Sequence, residues 1–224
     1  MGEWMDPGSE QIVGCPHCSR PMRQATIASG NQPGIRIWTD GKQMDPLVHE
    51  TPLVAICLGC NTSFWLSKAK NLGVIDWLED GAGAVDWDPC WRDADQLEEP
   101  VAEEYHRAIA MGMATNPGEE RMLRILTWWR ENDAFRNWGP TFSDHKPTGQ
   151  SRNNLEALCK LLGEEHVGER LMRVEALRHL GEFHQARSLL EKTSHHPFEP
   201  VVEQLRCLLD AKDCLVRELY LVGD

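Results

Sequence analysis

Two Cys-x-x-Cys pairs constrain this chain more than any other feature: Cys15-Pro16-His17-Cys18 and Cys57-Leu58-Gly59-Cys60. Each spacing suits a tight knuckle whose backbone amides point at thiolate sulfur, and two knuckles complete a tetrahedral four-sulfur site that suits zinc. Four protein thiolates close the coordination shell. No position is left for an activated water, so the expected cofactor is one structural Zn2+ per chain rather than a hydrolytic metal. A redox dithiol would want a neighbouring βαβ pattern, which the sequence does not offer. Iron in a rubredoxin-like electron carrier is a competing reading, since iron also accepts four thiolates. Against it, the knuckles run into Ser19 and Asn61 rather than glycine.

Residues 19–56 lie between the knuckles and need structure of their own. Ala25-Thr26-Ile27-Ala28 and Ile35-Arg36-Ile37-Trp38 read as strands separated by the turn-prone run Ser29 to Gly34, and Asp40-Gly41 supplies a second turn. A third strand is expected from Leu53 to Ile56, and Thr62 to Leu66 leads out of the second knuckle. The prediction is a small antiparallel β zinc ribbon over residues 1–70. So short a segment buries little apolar surface, so metal binding is expected to supply on the order of 10 kcal/mol of its folding free energy.

Residues 71–96 read as a connector around Asp80-Gly81-Ala82-Gly83-Ala84, with Trp77, Trp87 and Trp91 as packing anchors. Beyond it the periodicity turns helical, with expected helices over 98–113, 119–138, 151–162, 167–180, 183–192 and 199–221. In the second of these, Met122, Ile125, Leu126 and Trp129 share a stripe with Asp133 and Arg136. Two charges on a core-facing stripe imply a buried ion pair, joined by Asn132, or the polar floor of a ligand groove. Trp128, Asp133 and Arg136 are therefore the candidate binding residues. Cys207 and Cys214 fall two helical turns apart, too far for a disulfide. With Cys90 and Cys159 they read as small buried hydrophobes.

The run Ala176 to Lys192 has the grammar of a helical hairpin, with Gly181 at the turn, Phe183 as a wedge and Ala186 where backbones approach. It resembles the middle of a tetratricopeptide (TPR) repeat. Taken with Ser29-Gly30-Asn31, Trp38-Thr39-Asp40-Gly41-Lys42, Pro52, Phe64-Trp65 and Arg124-Ile125-Leu126-Thr127-Trp128-Trp129-Arg130-Glu131-Asn132-Asp133, the chain resembles a bacterial family that pairs an N-terminal zinc ribbon with TPR-like helices. The resemblance implies an architecture and no activity. The expected fold class is α+β: the ribbon, then an all-α TPR-like helical-hairpin domain over 97–224.

The formal net charge of −12 repels a polyanion, which argues against nucleic-acid binding as the main function, although a zinc-ribbon regulator of nucleic acid is the alternative kept open. No P-loop, dinucleotide fingerprint, serine elbow or His-Glu-x-x-His motif is present, and His195-His196 has no assignable catalytic partner. No catalytic residue is assigned. The sequence favours a non-enzymatic adaptor whose partner is a protein or peptide. Neither a secretion signal nor a membrane span is legible, so a cytoplasmic location is expected.

Overall fold

The computed structural model describes residues 9–25, 34–45, 51–75, 88–136, 145–193 and 198–220. In chain order these form strands β1 (Glu10–Gly14), β2 (Pro21–Ala25), β3 (Arg36–Trp38), β4 (Gln43–Met44), β5 (Val54–Cys57), β6 (Thr62–Trp65), β7 (Lys70–Ile75) and β8 (Asp95–Gln96). Helices follow as α1 (Ala102–Ala110), α2 (Pro117–Asn132), α3 (Gly149–Leu161), α4 (Val167–His179), α5 (Phe183–Glu191) and α6 (Glu199–Asp210), before a last strand β9 (Glu218–Leu219). The class is mixed α+β. Among the described residues no helix is long and apolar enough to cross a membrane.

The chain divides into two compact units, one of Met1–Gly34 with Asp45–Met113 and the other of Ile35–Met44 with Ala114–Asp224. In the first, a sheet ordered β7-β1-β2-β8 lies beside the two-stranded β5-β6 hairpin. The pairings are antiparallel except for β2 with β8. β5 is a short apolar run buried at all four positions, as expected of a strand covered on both faces. Between them Val13, Met22, Ala55 and Phe64 pack with Cys15 and Cys57 as one apolar cluster. α1 closes this unit; Glu104 reaches back to accept the Val101 amide at 2.9 Å, satisfying an orphan donor at the helix start.

Two sequence readings change here. Lys70 to Ile75, read mostly as connector, is an edge strand, bulged opposite Ile12 and Val13. Its disguise is Gly73, which interrupts the apolar pattern because Trp91 lies against it; a Cβ there would meet the indole at 2.6 Å. Trp91 is thus a packing residue, while Trp77, Trp87 and the Asp80 to Ala84 run lie outside the described residues, as do most of the expected strand at 25–28 and His195-His196.

The second change concerns β3, expected within the ribbon. It pairs instead with β4 and, antiparallel, with β9 near the end of the chain, in the other unit. The turn at Asp40-Gly41 forms as expected, with Gly41 at φ +84°. Pairing with a strand some 180 residues away leaves no local signal, so sequence proximity assigned β3 to the wrong sheet.

The second unit is built on consecutive helix packing, α2 on α3, α3 on α4, α4 on α5 and α5 on α6. Asn116 caps α2 by accepting the Glu119 amide at 2.9 Å, and Pro117 occupies the first turn. Trp128, Leu158, Val174, Ala186 and Leu205 lie in one continuous apolar core. α4 and α5 meet across Gly181, whose φ of +79° needs glycine's freedom, and Phe183 packs on the core. The final helix is shorter than expected: it stops at Asp210, Lys212 turns left-handed at φ +53°, and Cys214 lies buried beyond the helix. Cys159 is also buried, and that burial pushes its thiol up to about 11. Cys90 and Cys207 are exposed, contrary to the reading of both as buried.

Candidate metal centre

Each Cys-x-x-Cys pair is the turn of a hairpin. The first links β1 to β2 and the second links β5 to β6. Both turns close the same way: Ser19 N–H donates to the Cys15 carbonyl at 2.9 Å, and Asn61 N–H to that of Cys57 at 2.7 Å. Ser19 and Asn61 take φ of +61° and +52°, the left-handed residues that reverse the chain after each knuckle. His17 N–H points at the Cys15 sulfur at 3.4 Å, the amide-to-sulfur geometry expected of a knuckle. Gly59 is the smallest residue of the second knuckle because Arg20 packs over it, within 2.6 Å of where a Cβ would stand. Arg20 is itself held by Asp95 at 2.8 Å.

The four ligand sulfurs lie within 4.8 Å of one another. Cys15 Sγ is 3.8 Å from Cys60 Sγ, and Cys18 Sγ is 3.6 Å from Cys57 Sγ. Those spacings are far too long for a disulfide, whose sulfurs sit at about 2.0 Å. They match a tetrahedron: metal–sulfur bonds of about 2.3 Å place sulfurs about 3.8 Å apart. The donor set therefore fits a metal ion held by Cys15, Cys18, Cys57 and Cys60. Burial pushes the Cys15 thiol up to about 12 against the pull of the Cys18 and His17 amides, and raises Cys57 as well. At Cys60 burial is outweighed by bonds to Thr62 and the other cysteines, which bring the thiol down to about 7. A divalent cation supplies the charge that lets all four ionise together.

The other candidate residues lie in the second unit. Arg136 and Asp133 do join a charged network, but its centre is Asp40, which is fully buried in the β3–β4 turn. Arg136 donates to both Asp40 oxygens at 3.2 and 2.9 Å and to Asp133 at 2.8 Å; Asn132 donates to Asp40 at 2.8 Å, and Lys42 to Asp133 at 2.8 Å. The helix ends at Asn132, so Asp133 and Arg136 reach this turn from beyond it. Trp128 is separate from that network, donating its indole N–H to His179 Nδ1 at 3.2 Å. It lines a cavity of about 120 Å³ with Asn132, Phe135, Ser151 and His179, a space that neither Asp133 nor Arg136 borders.

Sequence reasoning missed the other charged centre, Glu175, Arg178 and His179 on α4. Arg178 grips both Glu175 oxygens at 2.8 and 2.6 Å and donates to the carbonyls of Asp213 and Leu215. Burial resists ionisation of Glu175, but the Arg178 charge, with hydrogen bonds from His179 and Arg178, outweighs it and holds the carboxyl far below the usual range. The signal was available as the i, i+3, i+4 spacing of Glu175, Arg178 and His179. What the spacing alone lacked was the burial.

No family model, curated protein or solved structure matches this chain.

Proposed function

We propose that this chain is a non-enzymatic protein- or peptide-interaction module whose metal is a structural Zn2+. The observation that carries this reading is the closed donor set. Four cysteine sulfurs at tetrahedral spacing leave the ion no vacant position for water or substrate, so the ion's contribution is to fix the two knuckles. Two clusters of buried charged residues in the helical unit are consumed within themselves: Asp40 with Arg136, and Glu175 with Arg178 and His179. Groups so fully paired and buried serve packing rather than proton transfer. The TPR-like reading of α4 and α5 draws support from Gly181 at their turn, the fully buried Ala186, and consecutive packing from α2 to α6, the arrangement by which helical arrays present a binding surface.

Metal analysis and partner capture test this together. The expected result is one zinc per chain, lost in the Cys15→Ser/Cys18→Ser variant, and a specific protein partner captured by the metal-loaded chain. Iron with a visible charge-transfer absorption would overturn the zinc assignment, and a metal-loaded chain that captures no specific partner overturns the adaptor reading.

A further inference from the structure

Beside the first knuckle lies a cavity of about 350 Å³, formed wholly within the first unit. Its apolar surface comes from Phe64 and Trp65 of β6 and from Ala108, Met111 and Met113 at the end of α1 and just beyond. The first knuckle makes another wall through Pro16 and His17, and Asn61, just after the second knuckle, adds to it. This volume lies at the lower end of the range for specific small-ligand pockets, roughly 300 to 1,000 Å³.

The charge of the lining departs from that of the chain. Acidic residues outnumber Lys and Arg by 35 to 23 overall, yet among the described residues the cavity is bordered by Lys68 and Arg107 and by a single acid, Glu104. Glu104 is already engaged by the Val101 amide. Trp65 is a buried wall of this space, only 7 % exposed.

We propose that this cavity takes the carboxy-terminal end of a peptide, with an apolar last side chain against Phe64, Trp65 and Met111 and the free carboxylate against Arg107 and Lys68. The apolar surface and the cations border one space, and a chain terminus is the peptide element that brings both an apolar group and a carboxylate to one point. The inference rests on the interaction reading above and narrows it to one site and one partner chemistry. It also reverses a conclusion from composition, since an acidic chain as a whole favours neutral or basic partners whereas this lining selects an anion. Because the knuckle is a wall of the cavity, the site depends on the metal without the ligand touching it.

The test is calorimetric titration of the full, metal-loaded chain with acetyl-Gly-Gly-Leu-Phe bearing a free carboxylate, against the same peptide as its amide. Binding of the acid, about tenfold weaker binding of the amide, and a similar loss in Arg107→Glu and Lys68→Glu are expected. Both side chains are exposed, so neither change disturbs a core, and unchanged circular dichroism checks this. Arg107→Lys should restore much of the affinity lost in Arg107→Glu. Acid and amide binding alike, no binding of the acid, or full affinity in both charge-reversal variants overturns the proposal. So does 3-phenylpropionate binding as tightly as the peptide, which would make the occupant a small acid. A captured protein partner that survives Arg107→Glu overturns the pocket and leaves the interaction reading standing; a metal-loaded native chain that captures none overturns that reading itself.

Discussion

The two units solve the same problem with different materials. In the first, the apolar cluster is thin, and two of its members, Cys15 and Cys57, belong to the four-cysteine donor set, so an ion held there would be part of the core. In the second, Trp128, Leu158, Val174, Leu205 and their neighbours form a thick core that accommodates charge, with Glu175 and Arg178 fully buried inside it. The first unit gathers its apolar cluster around the four-cysteine site, where a bound ion would act as a cross-link; the second has a larger apolar core that tolerates the desolvation of ion pairs.

The sharpest way to break this contrast is to remove the metal. Chelation, or Cys15→Ser with Cys18→Ser, should cost the first unit on the order of 10 kcal/mol. Near-ultraviolet circular dichroism should lose the ribbon's aromatic signal while most helical ellipticity survives, since five of the six described helices belong to the second unit. Loss of all helicity would mean that the units are not separately stabilised.

The converse experiment strikes the second unit alone. Arg178→Ala strands the Glu175 carboxylate in a fully buried site, and a destabilisation of about 3 to 5 kcal/mol is expected in urea unfolding, with metal content unchanged. Acid should act on the same group. Because the folded carboxyl is held below its ordinary value, its contribution is complete above roughly pH 4.3 and is drawn down as the pH falls below it. Glu175→Gln should flatten that part of the stability–pH curve, and an unchanged slope would remove Glu175 from the account.

Asp40→Ala tests whether the β3–β4 turn is fastened to the helices by charge. Arg136 would be left without its buried carboxylate, retaining Asp133, so a loss of about 3 kcal/mol is expected in the same measurement. Trp128→Phe removes the indole donor to His179 and leaves space where the larger ring packed, and should cost about 2 kcal/mol. Smallest of all is Gly59→Ala in the knuckle. The new methyl meets the flexible, half-exposed Arg20 side chain, which can move aside, so a change below about 1 kcal/mol and retained metal stoichiometry are expected. Loss of metal there would mean that Arg20 is fixed rather than yielding.

Much of this was legible in the sequence where the signal was local. The cysteine pairs declared the donor set, and Gly181 with Phe183 and Ala186 declared a hairpin. The stripe through Asp133 and Arg136 announced a buried charge network but not its partner, because Asp40 lies more than 90 residues away. The cavity beside the first knuckle had no linear signature at all, being assembled from residues 16–17, 61–68 and 104–113.

By itself, then, the sequence determined the four-cysteine donor set and the approximate place of each helix, since each depends on neighbours a few residues apart. Only the tertiary structure decided that β3 joins β9, that Asp40 joins Asp133 in holding Arg136, and that cations gather around one apolar cavity in an acidic chain. Those outcomes depend on which distant segments exclude water from one another, and spacing along a chain does not encode that choice locally.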